Sequence, residues 1–540
     1  MNVNTGELQF LKRTKERETG NVEYKLRLTD ISSEKRESLA TQMLYRVIEG
    51  GGEAIYLIGV EDNGRLIGIS ETELEESEET LKEIAALINA KISRIRIRDG
   101  EQGKVGEYLV RRIVGVEDLP IDITIDTVGN VDSGKSTIVG CLIAGELDNG
   151  RGSARLKVLR HLHEIESGRT SSVSHQVLGF DAKGLIVNYS PSASVSPLTM
   201  DEITANSSKI ISFVDLAGHE RYLKTTIFGL SGYAPDYSLL VIGANAGVLR
   251  MTKEHLGVST ALRIPIIVVV NKIDLVDIEI TKRTMNQVKS VLKLPGVDKI
   301  PMIIKNSDDI VVASKHMPTG RVAPVFLVSC VTGEGFDLLR DFLNLVPVRL
   351  KWGEYVDDDF LLYIDEVFSV PGVGTVASGT INRGTIHTND TIKIGPFSGG
   401  ELFKETKIRS IQYKRLNVRH LHAGQSGTFA LHGISYDEVR KGMILTQMED
   451  PPTARAFSAN IFVLYHPTTI RMGYEAVIHV NTVRQTAKII EMSEDPLRTG
   501  QRAQVKFRFK YKKEYIMEGQ KILFREGRTK GIGIIKSIEN

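Results

Sequence analysis

The first chemistry in this sequence lies in Gly129-Asn130-Val131-Asp132-Ser133-Gly134-Lys135-Ser136. The spacing is G-x-x-x-x-G-K-S, a loop that can cradle phosphate. Its glycines let the backbone approach phosphate oxygens closely. Amides at the start of a following helix favour an anion. Lys135 can reach β- and γ-phosphates, and the Ser136 hydroxyl can ligate Mg²⁺. Thr137 carries the loop into the helix that the pattern requires.

Three more polar groups complete a nucleotide set. In Asp215-Leu216-Ala217-Gly218-His219-Glu220, Asp215 can hold Mg²⁺ through water, and Gly218 can offer its amide to a γ-phosphate. In Asn271-Lys272-Ile273-Asp274, the Asp274 carboxylate can accept from guanine N1 and N2, donors that adenine lacks. Ser329-Cys330-Val331 can place a backbone amide on guanine O6. Each match is weak alone, because polar residues at strand ends are common. All four in order, each at a strand's C-terminal edge, specify GTP or GDP.

The elements that must position these groups are visible around them. Strands are expected at Ile121 to Ile125, Ile210 to Val214, Ile266 to Val270 and Val325 to Val328. A helix is expected from Thr137 to Leu147. Residues 118–348 alternate strand-like and helix-like segments, which implies a mainly parallel sheet. Residues 349–450 and 451–540 show short strands and frequent turns, read as two antiparallel β-barrels. Pro347 to Asp359 is the expected linker before the first, and Pro451-Pro452 marks their boundary. Residues 1–117 read as an α+β accessory domain. It has a helix from Glu34 to Glu49, a capping box at Ser70 to Glu73, and a hairpin turning at Glu61-Asp62-Asn63-Gly64. The fold class is therefore multidomain, with an α/β phosphate-loop domain between an α+β domain and two barrels.

Composition bounds the rest. The 540 residues carry 41% hydrophobic and 25% charged side chains and a formal net charge of +2. Any nucleic-acid surface must then be a local patch. Arg94, Arg96, Arg98, Arg111 and Arg112 form one candidate strand face, with a solvated face as the stronger alternative. A second patch is sharper. Lys506, Arg508, Lys510 and Lys512 alternate with Val505, Phe507, Phe509 and Tyr511. At strand period this gives an apolar face and a basic face that could track an RNA backbone. Cys141 and Cys330 lack metal-ligand spacing, which suggests a reducing, cytoplasmic setting. No stretch is long and apolar enough to span a membrane, and a monomer is expected when free.

These residues carry a resemblance. The order of the four motifs is similar to that of translational GTPases of the elongation factor Tu type. The run through Ala244-Asn245-Ala246-Gly247 and Thr252-Lys253-Glu254-His255 extends it, as do Pro371 to Gly379, Gly473-Tyr474 and Arg525 to Thr529. Within that class, His163 to Ser172 and Leu178 to Asp181 look like the group called GTP-binding proteins 1 and 2, in an archaeal-type member. The resemblance implies that Thr170 completes the Mg²⁺ shell and senses the γ-phosphate, and that His219 orients the attacking water. Arg169 stands where elongation factor Tu has an isoleucine of a hydrophobic gate, while Val131 keeps the gate's other side. Arg169 could stabilise charge or point at RNA or solvent. A ribosome partner and an aminoacyl-tRNA or related RNA cargo are implied. Two alternatives stay open: an RNA surveillance or decay factor timed by GTP, and a metabolic GTPase subunit of sulfate activation. The segment Ala54 to Ile69 also faintly resembles the Schlafen/AlbA-type domain, which suggests nucleic-acid contact.

Overall fold

The computed structural model describes residues 20–115, 118–158, 173–189, 197–219, 232–527 and 529–539. The first unit contains β1 (Val22–Lys25), α1 (Ser33–Glu49), β2 (Glu53–Ile58), α2 (Glu71–Leu87), β3 (Ala90–Asp99) and β4 (Lys104–Arg112). Its sheet runs β1-β2-β4-β3. Ala40, Met43 and Val47 fall at helical spacing on α1 and pack with Tyr56, Ile58, Tyr108 and Val110 of the sheet. The expected capping box opens α2. Ser70 Oγ accepts from the Glu73 amide at 3.3 Å, and Glu73 Oε2 accepts from the Ser70 amide at 3.0 Å.

Two expectations fail in this unit. The hairpin across Glu61 to Gly64 does not form two strands. β2 ends at Ile58, and Val60 shares only a single bridge with Leu66. Gly59 and Gly68 take φ of +89° and +82°, which turns the chain out of extended backbone on both sides. The turn itself closes, with the Glu61 amide donating to Arg65 O at 3.1 Å and the Gly68 amide to Gly59 O at 2.9 Å, but the paired strands on which the Schlafen/AlbA likeness rested are not there. The arginines are not a free basic face either. Arg94 bonds Glu78 at 2.9 Å, Arg96 and Arg98 meet Glu107 at 2.9 and 3.1 Å, Arg111 meets Glu53 at 2.9 Å, and Arg112 meets Asp118 at 3.0 Å.

The second unit holds a seven-stranded sheet in the order β10-β11-β9-β8-β5-β7-β6. Its strands are β5 (Ile121–Gly129), β6 (Ser174–Phe180), β7 (Lys209–Asp215), β8 (Tyr237–Gly243), β9 (Ile266–Asn271), β10 (Ile300–Ile303) and β11 (Val322–Leu327). All neighbours are parallel except the edge strand β6, which runs antiparallel to β7. Both faces are covered, so β8 and β9 are buried along their whole length. Helix α3 (Lys135–Ala144) follows β5 directly.

Two six-stranded antiparallel barrels complete the chain. In the first, the strand Thr391–Gly395 pairs with both Lys404–Tyr413 and Ile444–Thr446, which closes the sheet. In the second, Ala456–Tyr465 pairs with Arg502–Phe509 and with Thr529–Glu539. Both dock on the second unit. Tyr413 Oη donates to Asp122 at 2.8 Å, and Lys414 meets the same carboxylate at 3.0 Å. Leu523 and Ile532 of the second barrel join the apolar cluster of Leu256, Val258 and Ile264.

Candidate nucleotide-binding site

The four motifs converge at one edge of the second sheet, each at the C-terminal end of its strand. β5 ends at Gly129, β7 at Asp215 and β9 at Asn271, and Ser329 follows β11 by two residues. This is where open α/β sheets bind ligands. Gly134 caps α3 with φ +94°, a conformation that favours glycine, and no side chain caps the helix. The first-turn amides of α3 are thus left for an anion.

Charge is held tightly here. Lys135 is buried, and its Nζ donates to Gly129 O at 3.3 Å and Asn130 O at 3.0 Å. Burial pulls the Lys135 ammonium below the usual lysine range, while Asp215 and Asp132 oppose the shift. A β-carbon at Gly218 would lie 2.7 Å from Gly129 O, so the Asp215 to Gly218 segment abuts the loop. Asp215 is fully buried. One carboxylate oxygen accepts from Thr127 Oγ1 at 2.6 Å, the other from Ser136 Oγ at 2.5 Å. Ser136 and Asp215 therefore present adjacent hard oxygens beside the phosphate loop, a donor set that fits Mg²⁺. No cluster of three or more His, Cys, Asp or Glu among the described residues suits a transition metal. Thr170 and Arg169 lie outside the described residues, while His219 is exposed at the end of its loop.

The residues expected to read the base form a second tier. Asn271 is buried, and its Nδ2 donates to Ser133 O at 3.2 Å. The Cys330 thiol donates to Asn271 Oδ1 at 3.4 Å. Asn271 thereby ties the phosphate loop to the Ser329 turn. Lys272 takes φ +65°, which swings Asp274 out to an exposed position in a short 3-10 turn. Ser329 Oγ accepts from the Val331 and Thr332 amides at 3.2 and 3.0 Å, which shapes the remaining turn. Both cysteines are free and buried, and Cys141 packs into the core from α3 as its apolar setting implies.

One residue at the site escaped the motif reading. His255, on the buried side of the helix Arg250–Ala261, accepts from the Gly129 amide through Nδ1 at 3.0 Å. Burial, with Lys135 and Arg525 nearby, pushes its pKa down to about 3, so it stays neutral and can accept. The sequence showed only a histidine in a family-like run.

The basic strand belongs to the second barrel and contributes no residue to this site. Val505, Phe507 and Phe509 do enter the second barrel's core. The alternation stops there. Tyr511 is exposed, because the strand ends at Phe509 and Gln485 Oε1 accepts from the Tyr511 and Lys512 amides at 2.8 and 2.9 Å. Nor is the polar face wholly basic. Lys506 pairs with Glu491 at 3.2 Å and Glu539 at 2.8 Å, and Lys510 with Glu475 at 2.9 Å. Arg508 is exposed, opposite Lys488. Lys512 is partly buried.

A cleft of about 1910 Å³ holds none of the nucleotide residues. It lies between the first unit, the second unit and the first barrel, and its rim carries cations and carboxylates together. Chemistry rather than volume locates the site, which is open along a strand edge.

Fold and site together define a class: a phosphate-loop GTPase followed by two barrels, built like elongation factor Tu. Residues 122–348 match the family model for the elongation factor Tu GTP binding domain, and residues 374–446 that for elongation factor Tu domain 2. The chain is 45% identical over 535 residues to human GTP-binding protein 2, covering 97% of this chain and 88% of that protein. It is 46% identical over 519 residues to Xenopus laevis GTP-binding protein 1, covering 96% and 79%. Elongation factor 1-alpha of Methanopyrus kandleri is 28% identical over 422 residues, covering 72% and 89%. In fold, the chain is similar to translation elongation factor SelB of Methanococcus maripaludis with a GTP analogue. The TM-score is 0.55 at 21% identity, covering 78% of this chain and 80% of that one. The chain belongs to the family of GTP-binding proteins 1 and 2, and it is a GTPase.

Proposed function

We propose that this GTPase acts on the ribosome, hydrolysing GTP to GDP as a conformational switch while binding aminoacyl-tRNA or a related RNA. One observation carries the reading. The phosphate-loop unit and both barrels are present and docked together, and the elongation factor 1-alpha relative aligns over 89% of its own length. The residues divide the work. Lys135 and the first-turn amides of α3 offset phosphate charge, and the Gly218 amide takes a γ-phosphate oxygen. His219 orients the water for in-line attack. Ser136 and Thr170 would hold Mg²⁺ directly, with Asp215 acting through its waters. When bound, Mg²⁺ supplies charge compensation on the phosphate oxygens. Asp274 selects guanine. Loss of the γ-phosphate frees the Gly218 amide and loosens the loop around it. The barrels, held by contacts such as Tyr413 to Asp122, can then shift.

A ribosome partner, a cytoplasmic setting and a free monomer belong to the same proposal. No helix among the described residues is long and apolar enough to cross a membrane. The archaeal-type membership draws no support beyond distant elongation factor 1-alpha relatives such as that at 28% identity: those at 45–46% identity are vertebrate proteins. One observation favours a second reading, GTP-timed RNA surveillance without tRNA cargo. The first unit lies outside the stretches that match the elongation factor Tu models, and it could recruit other partners. The test is GTP hydrolysis with and without ribosomes, followed by sequencing of the bound RNA. Ribosome stimulation with bound tRNA supports the first reading. Stimulation without tRNA supports the second, and no stimulation sinks both.

A further inference from the structure

The first unit meets the GTPase sheet at the end away from the nucleotide. β6 is the edge strand, and β7 is its only partner in the sheet order. Their register runs from Ser174 opposite Asp215 to Phe180 opposite Lys209. The pair therefore has a nucleotide end, where Asp215 sits, and a far end at Lys209.

The far end is gripped by a buried ionic cluster. Lys209 Nζ donates to Glu53 Oε1 at 2.9 Å, to Asn344 O at 2.8 Å and to Val346 O at 2.6 Å. Arg111 donates to Glu53 Oε2 at 2.9 Å, to Asn344 Oδ1 and O at 2.9 Å each, and to Asp181 O at 3.2 Å. Asp181 follows β6 directly. Glu53 and Arg111, both of the first unit, thus hold β6 and β7 at once. The Lys209 and Arg111 side chains are 0% exposed and Glu53 is 4% exposed.

Such a cluster adds little net stability, because desolvation offsets most of the attraction. Its effect is to penalise every other arrangement. A shift of either strand end, or undocking of the first unit, leaves a buried charge without its partner. Burial pulls Lys209 down to about 8 despite Glu53. Burial alone would raise the Glu53 carboxyl, but Lys209 and Arg111 overcome it and hold it below the usual range. The surplus positive charge rests on backbone carbonyls of the GTPase unit, so the arrangement needs both units in place.

We propose that Glu53, Arg111 and Lys209 are positioning residues through which the first unit fixes the β6–β7 pair, so that its docking is linked to nucleotide binding at Asp215. The proposal rests on the nucleotide-site reading above. Linkage is reciprocal: whatever loosens the far end changes nucleotide affinity, and nucleotide tightens the docking.

The test uses the full chain with Glu53→Ala and with the charge-balanced pair Glu53→Gln and Lys209→Met. Release of a fluorescent GDP and of a fluorescent non-hydrolysable GTP analogue is timed, and backbone hydrogen exchange is mapped. Coupling between linked sites commonly spans roughly 5- to 150-fold. Glu53→Ala is expected to speed release about tenfold and to alter the ratio of GTP-analogue to GDP affinity about threefold or more. Exchange should rise along β6 and β7 and in the first unit, but not along β9 or β11. The charge-balanced pair should show a smaller effect of the same sign, and it serves alone if Glu53→Ala does not fold. Release rates and affinity ratio within twofold of the unmodified protein overturn the proposal. So does a uniform rise in exchange, which would mean reduced stability only. If the unmodified protein binds neither nucleotide, the site reading fails instead, and that measurement comes first.

Discussion

The phosphate loop and the strand Arg502–Phe509 both read as places for phosphate, yet the molecule treats their charges in opposite ways. Lys135 is buried and held on two loop carbonyls beside Asp215 and Ser136. Lys506 and Lys510 stand at the surface and are already paired with Glu491, Glu539 and Glu475. A buried cation in a preorganised loop has no solvent to fall back on, so a phosphate gains the full interaction. A surface lysine already shared with a carboxylate gains only the difference between two weak, screened pairs. Charge spacing alone does not separate the cases, but backbone constraint does.

The largest break of this comparison comes from the loop. Lys135→Ala and Ser136→Ala should each abolish stable GTP binding. Hydrogen bonds to charged groups are worth about 1.5–3 kcal/mol each. Removing two or more implies affinity weaker on the order of 100-fold or greater. Calorimetric titration with Mg²⁺·GTP checks this, and unchanged affinity in both variants would refute the site.

Next in size is His219→Ala. Water positioning acts in the transition state, so hydrolysis on ribosomes should fall on the order of 100-fold while GTP affinity holds. Single-turnover hydrolysis separates the two, and an unmodified rate would make His219 structural. Asp274→Asn should then weaken GTP binding by about one order of magnitude. It should also favour xanthosine triphosphate, whose O2 acceptor suits the new amide. Equal affinity of the unmodified protein for ATP and GTP would sink the assignment.

The same contrast explains what could be read in advance. Gly134 at φ +94° and Lys272 at φ +65° sit where the loop and the base-reading turn need unusual backbone. Such demands restrict residue types at fixed spacing, so they leave a local pattern. The five arginines of the first unit did not. Arg112 meets Asp118 in the loop after its strand, but the other four pair with Glu78, Glu107 and Glu53 of other elements, 9 to 58 positions away. Pairing at that distance is tertiary and leaves no spacing to find. His255 is the same case inside the site, since only the fold brings Gly129 to it. Tyr511 failed for the same reason: the period continues in sequence, but Gln485, 26 positions away, takes the Tyr511 amide, and the strand ends two residues earlier.

A buried group also responds to pH in a way that a surface group does not. Asp126, on β5 behind the loop, is fully buried and bonded by Ser238 at 2.5 Å, and burial raises its pKa to about 8. The folded state therefore holds a proton that the unfolded chain releases near pH 4. Stability from this group is present below about pH 4 and is lost as pH rises towards 8. Asp126→Asn cannot titrate, so its melting temperature relative to the unmodified protein should climb steadily between pH 5 and 8. A difference that stays flat over that range would mean that Asp126 is ionised in the fold.

The smallest expected effect is on the basic strand, and it sharpens the comparison most finely. Replacing Lys506, Arg508 and Lys510 with Gln leaves Val505, Phe507 and Phe509 in the core. Exposed changes of this kind alter stability by about half a kcal/mol at most. Removing one cation from a phosphate flattens the dependence of log affinity on log salt by about 0.7 to 0.9. If all three residues held phosphates, the slope would fall by about three times that amount. The pairing of Lys506 and Lys510 leaves Arg508 as the residue able to bind without giving up a carboxylate. The expected change in RNA binding is therefore that of a single phosphate, uniform across sequences, with GTP affinity untouched. A threefold larger change would show that Glu491, Glu539 and Glu475 release their lysines when RNA arrives, making the strand a second phosphate site. No change at all would leave it a solvated surface and turn the search for the RNA surface to the first barrel.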